Sequence, residues 1–471
     1  MALKLFNTLS RSVEEFHPLN PDGKKVGMYC CGPTIHDFAH IGNFRTFVFT
    51  DLVRRYLEFK GFAVQHVMNI TDIEDKIIKR VRENKTTLRE FTGQFEAAFF
   101  EDLNALNCLK PTQTPRATEH IAEIISLIEK LVARGIAYKA NDGSVYFSIE
   151  KYRGCGCNYG QLVKLNFDEM RPGERVSNDE YEKESVADFA LWKARVPDDG
   201  EIFWPSPWGE GRPGWHIECS AMSMKWLGTS FDLHLGGEDL MFPHHEDEIA
   251  QSEGAGVQES GKPFVKHWMH GAHLLVEGKK MSKSLGNYFT LRDLLAKGFS
   301  GREIRYLLLS AHYREQFNFT LEGLAGVHHA LARIDECLAK LRELAVNLKA
   351  SPDGELLQKF SESLDHDLNI SGAWGVIFEW VRETNRLIAA NQFPPEKAAA
   401  GLAAWERMNS VLGFSTVAEA EIPAELTLLL DERNAARKAK DFKRADAIRD
   451  QLKSKGWVIE DTPKGARLKK L

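Results

Sequence analysis

Near the N-terminus an apolar strand, an amphipathic helix and a second apolar strand follow one another directly: Lys25 to Cys31, Phe44 to Phe59 and Phe62 to Ile70. Phe44, Phe47, Val48, Leu52 and Tyr56 recur at helical spacing in the middle segment, and the flanks read as short buried strands. Two strands joined through a helix lie parallel with a right-handed crossover, because a twisted strand feeding a helix packs back on its sheet only that way. This unit predicts an α/β core. Ligands in such a core bind beyond the carboxyl ends of the strands, so the stretch between Cys31 and Phe44 is placed at a binding face. Phe231 to Leu235, ending at Gly236-Gly237, and Trp268 to Leu275 are later strand candidates. The first of these reaches the same face.

His40-Ile41-Gly42-Asn43 sits where the helix opens. The unpaired N–H groups of a first turn favour phosphate oxygens, and a neutral imidazole can donate to one. About 240 residues later Lys280-Met281-Ser282-Lys283-Ser284 carries two lysines three apart, with Gly278 before it and Gly286-Asn287 after. Ammonium groups on a Gly-flanked loop suit stabilising phosphate charge while a bond to phosphorus rearranges. Taken alone, the lysine pair reads equally as a solvated basic turn.

Four scattered residues suggest a metal. Cys31 ends the first strand, Cys219 lies in the Trp215–Ser220 segment, and His244 and Glu248 are four apart and share a helix face. Two thiolates, an imidazole and a carboxylate form a zinc-type donor set. The plainer reading makes each Cys a small core residue and the acidic, His-rich helix start a cap. His245 and Glu246 are set aside as competing ligands. The run lacks the H-E-x-x-H order of a zinc protease, which disfavours hydrolysis. Gly154-Cys155-Gly156-Cys157-Asn158-Tyr159-Gly160 has the wrong spacing for a dinucleotide loop, and its two Cys are too close for half of a zinc knuckle. They read as loop residues.

A chain of 471 residues predicts several domains. Hydrophobic content of 43% and charged content of 27% are those of a soluble globular protein, and no run approaches the roughly 18 apolar residues of a membrane span. The first residues lack the apolar core of a secretory signal, and seven Cys, two of them adjacent, suit a reducing cytoplasm. Between Pro111 and Gly211 the character shifts to a helix (Ile121 to Arg134), short strands and an aromatic run, as in an insertion. After the lysine loop, Leu321, Leu324, Val327, Leu331, Ile334, Leu338, Leu341, Leu344 and Leu348 predict a long amphipathic helix that opens a helical bundle. The net charge is −6, yet residues 431–471 hold thirteen Lys or Arg against seven Asp or Glu. A basic tail on an acidic body suits a polyanion.

The His40–Asn43 and Lys280–Ser284 segments resemble the HIGH and KMSKS signatures of class I aminoacyl-tRNA synthetases. Met28-Tyr29-Cys30-Cys31-Gly32-Pro33-Thr34 and Gly214-Trp215-His216-Ile217-Glu218-Cys219-Ser220 resemble the cysteinyl branch of that family. The resemblance runs from Leu5 to about Pro463. It implies a Rossmann-like parallel-sheet catalytic domain (1–110 and 212–320), an inserted connective domain (111–211), a helical bundle (321–414) and a basic C-terminal anticodon-binding domain (425–471). The implied reaction joins L-cysteine and ATP as an adenylate, releases pyrophosphate and passes cysteine to the 3′ end of its tRNA. His40, Gly42, Asn43, Lys280 and Lys283 would hold ATP with Mg²⁺. Gly32, Thr71 and Trp215 would line the cysteine pocket, and Cys31, Cys219, His244 and Glu248 would hold one Zn²⁺. Packing separates small side chains by only about 1–3 kcal/mol, so a sulfur-seeking metal would do what a large editing domain does in other branches. A monomer is expected. His36 stands where the family often has Tyr, and no aromatic residue follows the Asp461-Thr462-Pro463 ending. A cysteine:glucosaminyl-inositol ligase shares the core chemistry and is the alternative; the basic tail argues against it.

Overall fold

In the computed structural model the opening hairpin, β1 (Lys4–Asn7) and β2 (Ser12–Glu15), leads into the predicted unit: β3 (Lys25–Cys30), α1 (Ile41–Phe59) and β4 (Ala63–Met68). The structure describes residues 2–163, 188–258, 261–282, 285–414, 424–455, 457–462 and 465–470. Lys283 therefore lies outside the described residues, as does the linker at 415–423. The chain divides into two compact units, residues 1–414 and 415–471.

Helices α2 (Asp75–Asn84) and α3 (Leu88–Ala105) follow. The predicted insertion comprises α4 (Ile121–Ala133), β5 (Ala137–Lys139), β6 (Val145–Phe147), α5 (Ile149–Gly154), β7 (Phe189–Ala194) and β8 (Gly211–Pro213). Its four strands pair antiparallel in chain order. Ile124, Leu127, Ile128 and Leu131, at helical spacing, face Phe147, Leu191 and Trp192 in one core.

The chain then returns to the parallel sheet through α6 (Trp215–Leu227), β9 (Phe231–Gly237), α7 (Glu246–Gly254) and β10 (Val265–Gly271). The strand order is β10-β9-β3-β4, parallel throughout. This order makes β9 the neighbour of β3, and it brings residues near 31 beside residues near 237. Alternation along β3 divides its side chains between two faces. Met28 and Cys30 join the core beneath α1, while Tyr29 and the next residue, Cys31, join the core with Cys219 and Trp268.

The predicted strand Trp268 to Leu275 is in fact two, β10 and β11 (Leu274–Val276), because the chain leaves the main sheet after Gly271. β11 turns through Glu277 and Gly278, both with positive φ, into β12 (Lys279–Lys280). After α8 (Leu291–Ala296) and α9 (Gly301–Leu308), β13 (Phe317–Phe319) pairs parallel with β11. The leucine stripe forms α10 (Leu321–Leu344), with Leu324, Val327, Leu331, Ile334, Leu338 and Leu341 buried. Leu348 falls beyond the helix and is 43% exposed, so the stripe ends one turn earlier than predicted. Three more helices complete the bundle: α11 (Gly354–Leu364), α12 (Ile370–Ala389) and α13 (Pro395–Leu412).

In the second unit α14 (Ala424–Lys438) and α15 (Phe442–Ser454) precede a hairpin of β14 (Trp457–Thr462) and β15 (Gly465–Lys470). Leu426, Ile448, Leu452 and Trp457 form its core. The predicted basic tail thus contains two helices. Arg437, Lys438, Lys443, Arg444 and Arg449 are exposed, but Arg433 is buried beside Asn434. Among the described residues no helix is long and apolar enough to cross a membrane.

Candidate active site and metal centre

The end of β3 sets the site. Gly32 packs so tightly that a Cβ there would lie 1.7 Å from the carbonyl oxygen of Asn69. Its N–H donates to Asn69 Oδ1 at 2.9 Å, and the Asn69 amide donates to Thr71 Oγ1 at 3.2 Å. The Thr71 N–H donates to the Pro33 carbonyl. Gly32 and Thr71 are thereby locked together through Asn69, a residue that no sequence motif singles out.

Cys31, Cys219, His244 and Glu248 converge as predicted: all four are buried, with ligand atoms within 4.8 Å of one another. Sγ of Cys31 lies 3.9 Å from Sγ of Cys219 and 3.6 Å from Glu248 Oε1, and His244 Nε2 is 3.1 Å from the same oxygen. Burial alone would raise the Cys219 thiol, yet the hydrogen bond with Cys31 and the charge of His244 bring it down to about 6. Burial would lower His244, but Cys219 and Glu248 lift it to about 10. Glu248 is held down to about 2 against its burial by His234 and His244, while burial pushes Cys31 well above the ordinary thiol. Two thiols, an imidazole and a carboxylate gathered at one buried point are a donor set on which a soft divalent ion displaces the protons of the thiols and the imidazolium. The residues fit zinc.

A second set shares two of these residues: Cys31, His234, His245 and Glu248. His245, the competing ligand, has its Nε2 3.4 Å from Cys31 Sγ. Only one thiol belongs to this second set, and its imidazoles have other partners. His234 Nε2 holds Glu248 Oε2 at 2.9 Å, and His245 Nδ1 meets His270 Nε2 at 2.7 Å. His270 in turn meets the Thr8 hydroxyl at 2.8 Å. Such outer partners orient ligands. Glu246 belongs to neither set and accepts the N–H groups of Gly160, Gln161 and Leu162. Cys30, next to Cys31, points into the other core, and burial pushes its thiol up to about 12.

The two signature segments also meet. A Cβ on Gly42 would stand 3.3 Å from Met281 Cε and 3.0 Å from the His40 ring, so glycine lets the lysine loop close over the helix start. His40 does not lie in the first turn as predicted; it is the N-cap of α1. Its Nδ1 accepts the Asn43 N–H at 3.2 Å, and Asn43 Oδ1 accepts the His40 N–H at 3.1 Å, a reciprocal cap. The Ile41 N–H donates to Phe289 O. Two first-turn donors expected to meet phosphate are therefore already engaged. Lys280 is exposed on β12, and Asn287 ties the loop by accepting the Ser282 N–H and donating to the Lys280 carbonyl.

Beside the inserted sheet lies an open cleft lined by Glu74, Lys193, Arg212, Trp215, His216 and Glu218 among others. The Trp215 ring centroid is 4.6 Å from that of His244, which puts the predicted pocket residue against the cluster. A Cβ on Gly214 would meet Ala190 O at 2.0 Å, so glycine lets β7 approach the helix that carries Cys219. Glu218 was missed. Its carboxyl is fully buried without a hydrogen-bond partner of good geometry among the described residues, although Thr71 approaches it, and burial raises its pKa well above the carboxylate range. Its adjacency to Cys219 was the available signal.

A parallel sheet with a nucleotide face at its carboxyl edge, interrupted by an inserted domain, defines the class I aminoacyl-tRNA synthetase catalytic core. The family profile described as tRNA synthetases class I (C) catalytic domain matches residues 16–329. A DALR domain matches 359–416, and a cysteinyl-tRNA ligase anticodon binding domain matches 419–467. A cysteine–tRNA ligase of Chlamydia muridarum is 47% identical over all of both chains, and that of Protochlamydia amoebophila is 45% identical over 99% of this chain and 98% of its own. The fold is shared with Mycobacterium tuberculosis methionyl-tRNA synthetase in complex with methionyl-adenylate (TM-score 0.58, 14% identity, covering 83% of this chain and 90% of that one). The chain belongs to the cysteine–tRNA ligase family. The sugar-ligase alternative finds no support in these relatives.

Proposed function

We propose that cysteine is recognised through its sulfur at Cys31, Cys219, His244 and Glu248 and activated on the adjoining phosphate face. The observation that carries this reading is the burial of four soft and charged donors around one point. One Zn²⁺ per chain held there would supply a Lewis acid that prefers a thiolate to a hydroxyl. Gly32, Thr71 and Trp215 line the amino-acid pocket, and Glu218 offers a counter-charge for a cation beside it. The cysteine carboxylate attacks the α-phosphate of ATP in line. Positioning by His40, Gly42 and Asn43 and charge stabilisation by Lys280 and Lys283 lower the barrier, and Mg²⁺ carried with ATP would supply countercharge to the phosphates. Because the Nδ1 of His40 caps α1, its ring is oriented before substrate arrives.

The domain roles follow: a catalytic domain in two halves (1–110 and 212–320), a connective domain (111–211) for the acceptor end, a bundle (321–414) and an anticodon-binding unit (425–471) whose exposed basic residues contact phosphates. The protein acts as a cytoplasmic monomer. Two variants test the scheme. Lys283→Ala slows cysteine-dependent pyrophosphate exchange by roughly 100–1,000-fold with little change in cysteine affinity, as for loss of one transition-state contact. Normal exchange would remove the lysine loop from catalysis. Deleting 425–471 leaves exchange nearly intact and sharply raises the apparent KM for tRNA; unchanged charging would sink the anticodon assignment.

A further inference from the structure

Cys155 and Cys157 take no part in this chemistry, yet their side chains meet. Cys155 follows α5 directly, and its Sγ lies 3.1 Å from Sγ of Cys157, about 1 Å beyond a disulfide bond. Gly156 between them has φ +84°, a left-handed conformation that residues with side chains seldom adopt, and this turn brings the two sulfurs together. The two thiols differ in setting. Cys155 is exposed, while Cys157 is half-buried against the core of the inserted sheet, where burial and its neighbour push it up to about 11. An accessible sulfur beside a shielded second one is the arrangement of an attacking and a resolving thiol. Cys31, Cys219, Cys30 and Cys337 are buried and Cys108 is only partly exposed, so an oxidant meets the exposed Cys155 first.

The loop that follows is anchored on the metal cluster's own helix. Tyr159 donates its hydroxyl proton to Asp247, and the N–H groups of Gly160, Gln161 and Leu162 donate to Glu246 at 2.6, 2.9 and 2.8 Å. Both acids open α7, which carries Glu248 one residue further on. Gln161 also reaches Glu253 near the other end of α7. One residue, Asn158, thus separates the thiol pair from a grip on the turn that aims a proposed zinc ligand.

We propose that Cys155 and Cys157 form a reversible dithiol–disulfide pair, oxidised by peroxides, whose closure shifts the loop at 158–162 and loosens the cysteine site through α7. Cys155 sulfur attacks one peroxide oxygen and breaks the O–O bond; hydroxide leaves and takes up the thiol proton as water. Cys157 sulfur then attacks the resulting sulfenic sulfur, an S–S bond forms, and the sulfenic oxygen departs as a second water with the Cys157 proton. Two thiols lose two electrons and the peroxide gains them. A small dithiol reverses the step by exchange.

The final transmission to the cysteine site rests on the proposed role of Glu248; the disulfide itself does not. The test treats full-length, zinc-replete enzyme with hydrogen peroxide, blocks free thiols with N-ethylmaleimide and resolves the peptides by mass. The peptide carrying Cys155 and Cys157 is expected two hydrogens lighter and unblocked, with both thiols recovered by dithiothreitol. The KM for cysteine in pyrophosphate exchange rises several-fold on oxidation and returns on reduction. Cys155→Ser and Cys157→Ser keep the reduced wild-type KM and lose the response to peroxide. Full blocking of both thiols after peroxide, a sulfinic acid at Cys155 without cross-link, or an unchanged KM in fully cross-linked enzyme would each overturn the proposal. A failure of the functional reading would differ, because reduced enzyme would then lack zinc or cysteine-dependent exchange.

Discussion

Asp51 with Arg305, and Cys31 with Cys219, His244 and Glu248, are buried to a similar depth on the two faces of one sheet. The first group is closed on itself. Asp51 accepts from Arg305 at 2.5 Å, from Arg55 at 2.7 Å and from the Leu109 N–H at 2.7 Å, and Arg305 donates onward to the carbonyls of Leu412 and Leu106. Two guanidiniums hold the one carboxylate, the remaining Arg305 donors are taken up by carbonyls, and the pair ties α1 and α9 to the ends of α3 and α13. The second group gathers donors of lone pairs around a point, where one imidazole faces two thiols and a carboxylate and each shifts the others' protons. A satisfied buried ion pair belongs to the architecture; a convergent, incompletely neutralised one marks where a cation belongs.

The comparison can be broken at Arg305. Arg305→Ala leaves two carbonyls without donors while Asp51 keeps Arg55, so unfolding free energy falls by about 3 kcal/mol, the lower end for removing one partner of a buried pair. Denaturant titration measures it, and pyrophosphate exchange per folded molecule stays near normal. A stable variant, or one dead while folded, would erase the distinction. Cys219→Ser has the opposite profile: zinc content falls and cysteine-dependent exchange drops at least about 100-fold, beyond what loss of an outer partner costs. Retained discrimination of cysteine from serine in this variant would refute the metal reading.

Chelation sharpens the point further. If the cluster holds zinc in the folded state only, free zinc at about 100 times its Kd contributes about 2.7 kcal/mol, and removing it lowers the melting temperature accordingly. The same treatment leaves the Arg305 penalty unchanged. The smallest effect lies in acid. Although burial raises Asp51, Arg305 and Arg55 outweigh it and hold its carboxyl below the usual range. A lowered folded pKa means stability present above the unfolded value, about 3.9, and lost as pH falls through the folded one. The stability gap between wild type and Asp51→Asn therefore narrows below about pH 4. A gap constant with pH would show that the charge of Asp51 contributes nothing.

Much of this was legible in advance, because it rests on local pattern. The periodicity of Phe44 to Tyr56 named α1, and the flanking strands obliged it to cross over a parallel sheet. Residue type made Cys31, Cys219, His244 and Glu248 candidates and the family resemblance selected them, and the His244–Glu248 spacing survives as an ion pair. Other members of the site carry no local signal. His234 and His270 look like ordinary strand residues until β9 and β10 are placed in register. Asn69 matters only because Gly32 leaves it room, and His245 lay too near a better candidate to be credited. The capping role of His40 was also hidden, since a His one position either way would read the same.

The sequence by itself determined the elements, their parallel pairing and the chemical kinds of side chain at the active face, because helix and strand periods, caps and turns act over a few residues. Tertiary structure alone decided which of those side chains share a point. The order β10-β9-β3-β4 brings Cys31 beside residues some two hundred positions later, and alternation along β3 turns Cys31 to one face and Cys30 to the other. Contacts of that range follow from the packing of whole layers, which no window of the chain contains.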